Sequence, residues 1–290
     1  QTWNIVVDAS AQYGGVVGDL GKNAKADIHV GYLNNSAVVG GDTAGGICGT
    51  MGNNSELNLW LDENIKDTSG NNAKSQSLGS VSANKFAGGV IGQMNTGAVL
   101  SINEMPEITG DRTITATEKA TATDPNKNKG NAAGGLVGKA NGAKIAFAEG
   151  VSYTNSGELN AKVEKNSSTN IVPSESGAGG VFSLYSADEG AEFNFVLSNY
   201  NLTGSINISA NAGGGFAGRF ELKGLDENNK AANITIGKGN ADEKSCFNVT
   251  ADDGTVGVIL GKLLTKESCL ENTVTIKNVN TNVTITTNKV

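Results

Sequence analysis

The chain has 290 residues, 18% of them charged, and carries a formal net charge of −7. That acidic balance lacks the basic footprint that phosphate backbones require, and anionic membrane surfaces repel it. Nucleic acid and membrane insertion are therefore not expected: no apolar run reaches the ~18 residues of a spanning helix, and no signal peptide opens the chain. Gln1 in place of an initiator methionine reads as a processed chain or an excised piece.

One short motif recurs along the chain. Gly14-Gly15-Val16-Val17-Gly18 comes first, then Gly45-Gly46-Ile47-Cys48-Gly49 and Gly88-Gly89-Val90-Ile91-Gly92. Gly134-Gly135-Leu136-Val137-Gly138 follows, then a copy that ends in Ser183, the copy from Gly214 to Gly218, and a copy with Val258 in second place. About seven copies at a period of roughly 31–46 residues are the signature of a repeat architecture. Each copy predicts a short apolar strand. A polar turn and an alternating strand follow it, as in Ala26–Val30, Leu57–Leu61, Glu192–Val196 and Asn233–Ile236. A third strand, such as Thr113–Ala116 or Ser205–Ile208, leads into the next Gly-Gly pair.

Three short strands per repeat describe one coil of a parallel β-solenoid. The expected fold is all-β, a right-handed parallel β-helix of about seven coils, forming a single domain over residues 1–290. Val16, Ile47, Val90, Leu136, Val181, Phe216 and Ile259 should then follow one another in neighbouring coils. Asn side chains at successive corners should form hydrogen-bonded ladders. The long polar insertions, such as Lys119–Gly130, read as loops. The rival architecture is a seven-bladed propeller. Kelch-like blades, however, carry a tyrosine and a tryptophan at fixed offsets, and this chain has only Trp3 and Trp60.

The Gly-Gly-aliphatic-aliphatic-Gly core resembles the GLUG motif of large bacterial surface proteins, with Gly134–Gly138 the closest copy. The resemblance touches nearly every repeat over about six residues. It implies a secreted or cell-wall-anchored protein with a structural or adhesive role. It brings no catalytic residues with it.

The residue inventory points away from catalysis. His29 is the only histidine and lies in an alternating strand, so Ser-His-Asp and Cys-His machinery have no second candidate. No cofactor or metal is expected. Arg112 and Arg219 are the only arginines, and neither belongs to a recognisable motif. The acidic pairs Asp226-Glu227 and Asp252-Asp253 read as solvated turns. The expected function is a non-catalytic attachment or stalk module outside the cell, with a host or matrix glycan or protein, or other cell-surface components, as partner. The alternative is a β-helical polysaccharide lyase or hydrolase. Aromatics cluster between Phe182 and Phe220, and Tyr185 and Tyr200 fall outside the inward pattern, so these two are the candidate sugar-stacking residues. Cys48 replaces an apolar residue inside a Gly motif and reads as a buried thiol. Cys246 and Cys269 share one repeat and are candidates for a disulfide worth roughly 3 kcal/mol.

Overall fold

The computed structural model describes residues 4–7, 12–31, 37–62, 79–118, 130–165, 173–189, 191–223, 233–237, 248–251, 254–265 and 273–277. Among these, regular structure is strand throughout, apart from a three-residue 3-10 turn at Leu197–Asn199.

Three seven-stranded sheets carry the architecture. The first joins Asn4–Val7, Ala37–Gly40, Val81–Ala83, Arg112–Ala116, Leu159–Val163, Ser205–Ser209 and Asn248–Ala251. The second joins Gln12–Gly14, Thr43–Gly45, Phe86–Gly88, Ala132–Gly134, Gly177–Gly179, Ala212–Gly214 and Thr255–Gly257. The third joins Val17–Leu20, Cys48–Met51, Ile91–Met94, Val137–Asn141, Phe182–Ala187, Ala217–Leu222 and Leu260–Thr265. Neighbouring strands are parallel, and their order in each sheet is their order in sequence. Each pass of the chain therefore contributes one strand to every sheet, as in the β-helix and solenoid class.

A further wall is split. Lys25–Gly31, Glu56–Asp62, Val99–Glu104 and Lys144–Phe147 form one parallel sheet, and Glu192–Val196, Asn233–Gly237 and Thr273–Lys277 another. Tyr153–Asn155 pairs with Tyr200–Leu202 beside the break.

The Gly-Gly motif is not one apolar strand, so a pass holds at least four strands rather than three. Phe86–Gly88 ends the second sheet's strand and Ile91–Met94 begins the third's, with Gly89-Val90 as the bend between them. The reason is steric. A Cβ on Gly88 would stand 1.8 Å from the Ile91 carbonyl oxygen, so the chain turns back too tightly for any side chain there.

The expected row across neighbouring passes is present. Val16 N donates to Ile47 O at 3.0 Å, Ile47 N to Val90 O at 2.9 Å, Val90 N to Leu136 O at 2.9 Å and Leu136 N to Val181 O at 3.1 Å. Ile47, Val90, Leu136, Val181, Phe216 and Ile259 are all buried, and the strands alternate between core and outer face, as Arg112–Ala116 does. Polar ladders run outside: Asn207 Nδ2 donates to Asn160 Oδ1 at 3.0 Å, and Asn58 Nδ2 to Asp27 Oδ1 at 2.8 Å. The core grows aromatic in the fifth and sixth passes, where Phe182, Tyr185, Phe195, Phe216 and Phe220 pack ring to ring.

Candidate binding groove

The two tyrosines expected on the surface are core residues. Tyr185 is 1% exposed and Tyr200 2%. Tyr185 follows Met94 and Ala140 in a core-facing row of the third sheet, and its hydroxyl donates to Ala143 O at 3.1 Å. Tyr200 packs edge-on against Phe147 and Phe216. Neither ring offers a free face for a sugar. Burial pushes both hydroxyls above their ordinary pKa, with Asp188 and then Tyr200 adding to the shift at Tyr185.

Cys246 and Cys269 lie outside the described residues, as do Asp226-Glu227 and Asp252-Asp253. Cys48 is a buried free thiol whose Sγ donates to Thr50 O at 3.2 Å. Burial, aided by Asp19, pushes its pKa up to about 12. His29 is exposed and stacks on Trp60 in the next pass, centroids 4.3 Å apart. Arg112 is buried and donates to the Tyr153 hydroxyl, which in turn donates to Gly135 O at 3.0 Å. Both side chains are thus tied into the core beneath the Gly-Gly bends. Among the described residues no group of three or more His, Cys, Asp or Glu is placed to hold a metal, and no helix is long and apolar enough to cross a membrane.

A groove lies where the outer faces of the second and third sheets approach each other. The approach depends on small residues: the second sheet presents Ala132, Gly177 and Ala212 in one row, and a Cβ on Gly177 would stand 2.8 Å from Leu184 Cδ2. The groove encloses about 240 Å³, and Phe86, Lys139, Asn141, Glu175, Arg219 and Glu221 stand around it. Lys139, Leu184 and Arg219 occupy one register row of the third sheet; Asn141, Ser186 and Glu221 occupy the next outward row. The Lys139 ammonium sits 4.6 Å from the centre of the Phe86 ring. Burial lowers its pKa, Glu221 pulls it back up, and Lys223 lowers it further.

Among the described residues no carboxylate lies within ion-pair distance of Lys139 or Arg219. The groove therefore offers two cationic donors, an amide and a hydroxyl around a space smaller than the ~300–1,000 Å³ of drug-sized sites. Such a space suits one polar ring with an anionic substituent. The carboxylates of Glu175 and Glu221 remain as acceptors for hydroxyl groups.

Reading the repeats one at a time misses this site, because no single repeat contains it. The column of residues directly after the last motif position reads Asp19, Thr50, Gln93, Lys139, Leu184, Arg219 and Lys262, and its second half is cationic in an acidic chain. That column is the signal that marks it. Comparison with known protein families, with curated proteins and with solved structures finds no match.

Proposed function

We propose that the chain is a non-catalytic β-solenoid module of a secreted or cell-surface bacterial protein, serving attachment or acting as a stalk. In this reading residues 1–290 form one domain, a right-handed parallel β-helix of about seven coils. The observation that carries it is the constant register of the three seven-stranded parallel sheets. Such a stack is stiff along its axis and presents long regular outer rows, which repeat proteins use for extended binding or as spacers. The resemblance of Gly134–Gly138 to the GLUG motif supports a place outside the cell.

The groove at Lys139 and Arg219 supplies the contact. Its chemistry favours a terminal acidic sugar of a host or matrix glycan: the carboxylate on the two cations, the hydroxyls on Asn141, Ser186 and the two glutamates. One such contact is weak, and many copies on a cell compensate for it.

The experiment is a glycan and matrix-protein array probed with the purified chain, followed by titration of the best ligand. Binding to acidic glycans that weakens with salt is expected, together with its loss in Lys139→Ala and Arg219→Ala. Binding to none of them removes the attachment reading. Release of reducing or unsaturated sugar ends replaces it with an enzyme.

A further inference from the structure

Three non-glycine residues among the described ones hold a positive φ: Asn23 at 58°, Asn54 at 55° and Glu175 at 63°. Asparagine visits the left-handed region readily, because its short amide bonds to the local backbone. Glutamate has no such relief, so Glu175 holds its conformation against strain.

The neighbouring passes reveal what this bend asks for. Ala132 and Gly177 are partners in the second sheet, and Gly130 and Glu175 stand two residues before them. Gly130 has a φ of 71°. Thr43 opens the same sheet two passes before Ala132, and Gly41, two residues ahead of it, has a φ of 64°. Glycine thus fills the left-handed place in the second and fourth passes. The fifth pass puts a long acidic side chain there. Ser176 N donates to Pro173 O at 3.3 Å and Gly130 N to Ser174 O at 3.4 Å, while Ser176 Oγ accepts from Asn211 N at 3.1 Å. These bonds hold the bend, and none of them uses the Glu175 carboxylate.

That carboxylate belongs to the groove instead. Glu175 is exposed, stands on the groove with Lys139 and Arg219, and makes no hydrogen bond or ion pair among the described residues. Glu221 stands on the same space. Lys139 and Arg219 bring two positive charges and the two glutamates two negative ones, so the groove is neutral as a whole. A plain anion gains from the first pair and is repelled by the second. A ligand that carries both signs is attracted by each.

Taking the groove as the contact site proposed above, we infer that its ligand is zwitterionic: an acidic amino sugar whose carboxylate meets Lys139 and Arg219 and whose ammonium meets Glu175 and Glu221. A carboxylate only accepts hydrogen bonds. An ammonium offers it three donors and a full charge, and is a stronger partner than a hydroxyl. Glu175 is the specificity-determining residue that tells the amine from the hydroxyl. Its strained backbone persists because the carboxylate acts in the groove and not in the fold.

Titration calorimetry with three matched probes tests this: a uronic acid, its 2-amino-2-deoxy form as the ammonium, and the N-acetyl derivative of that form. The wild type should bind the ammonium probe about fivefold more tightly than the other two at low salt. Glu175→Gln keeps the shape and the strain and removes the charge, so it should bring the three affinities to within about twofold of one another. Glu175→Gly should do the same and also raise the melting temperature by about 1–3 °C, because glycine takes the left-handed conformation freely. A wild type that binds none of the probes would overturn the inference together with the groove as an acidic-sugar contact. Equal binding of the three probes, or tighter binding of the plain uronic acid, would overturn the inference alone and leave the groove an acidic-sugar site. So would a Glu175→Gln chain that keeps the wild-type preference. A Glu175→Gly chain that melts below the wild type would also overturn it, since the carboxylate would then serve the fold.

Discussion

Tyr185 stacks on Phe220 of the following pass, ring centroids 4.8 Å apart and planes within 20°, while its hydroxyl caps the Ala143 carbonyl. One side chain thereby ties together three successive passes. Tyr185→Phe keeps the stack and orphans a buried acceptor, so it should cost about 1 kcal/mol. Tyr185→Ala opens a cavity in the aromatic centre and should cost about 3–5 kcal/mol. The shift of the urea midpoint measures both. A Tyr185→Ala chain as stable as the wild type would mean that the ring is not in the core.

The architecture was legible because the Gly-Gly pairs are a steric record of stacking: a residue without a side chain marks each place where another pass comes close. The number of strands per pass was not legible. The motif reads as one apolar run, and only the 1.8 Å approach of a Gly88 Cβ to Ile91 O shows it to be a bend. Tyr185 and Tyr200 were misread for a related reason. Their places outside the inward alternation suggested the surface, but Tyr185 satisfies its hydroxyl on a backbone carbonyl inside the core and Tyr200 is enclosed by Phe147 and Phe216. The groove was invisible because Phe86, Lys139 and Arg219 come from three different passes.

Cys48 makes stability sensitive to alkali. Its pKa is 9.0 in the unfolded reference and about 12 in the fold, where burial disfavours the thiolate. Between those values the unfolded chain gives up a proton that the folded chain keeps. The thiol's contribution is therefore intact below pH 9 and is lost as pH rises toward 12, at up to about 1.4 kcal/mol per pH unit. Cys48→Ala should flatten the fall in stability between pH 9 and 10, before the buried tyrosines join in. In the wild type at neutral pH, alkylation of Cys48 should require unfolding. Identical pH profiles for the two chains, or rapid native labelling of Cys48, would contradict this.

Tyr153 stands between the buried Arg112 guanidinium and the Gly135 carbonyl, accepting from one and donating to the other. Arg112 also lies 5.6 Å from the centre of that ring. Tyr153→Phe keeps the ring and removes both hydrogen bonds, one of them to a charged donor. A loss of about 2–3 kcal/mol is expected, larger than for Tyr185→Phe, which orphans only a neutral acceptor. Denaturation midpoints of the two phenylalanine variants, measured side by side, check the order. Equal losses would show that the charge is neutralised elsewhere.

The tight bend itself can be tested with one methyl group. Gly88 and Gly21 are both glycines on the third sheet's approach or exit, but their surroundings differ. A Cβ on Gly88 meets Ile91 O at 1.8 Å and Gly138 N at 2.6 Å, both backbone atoms locked in the parallel ladder. A Cβ on Gly21 meets nothing within 4 Å. Gly88→Ala cannot be relieved by rotating a side chain. The pass must open at its bend, which also strains the passes on either side, and a loss of at least about 3 kcal/mol is expected. Gly21→Ala should be neutral or gain a few tenths of a kcal/mol, because alanine restricts only the unfolded chain. Because repeats that touch only their neighbours unfold in segments, the effect of Gly88→Ala should also be local. Amide hydrogen exchange should accelerate most in Phe86–Met94 and in the strands hydrogen-bonded to it, Thr43–Met51 and Ala132–Asn141, with Ser205–Ser209 little changed. Uniform acceleration along the chain would show that the passes unfold as one unit, and an unperturbed Gly88→Ala would show that the bend is wider than its geometry here.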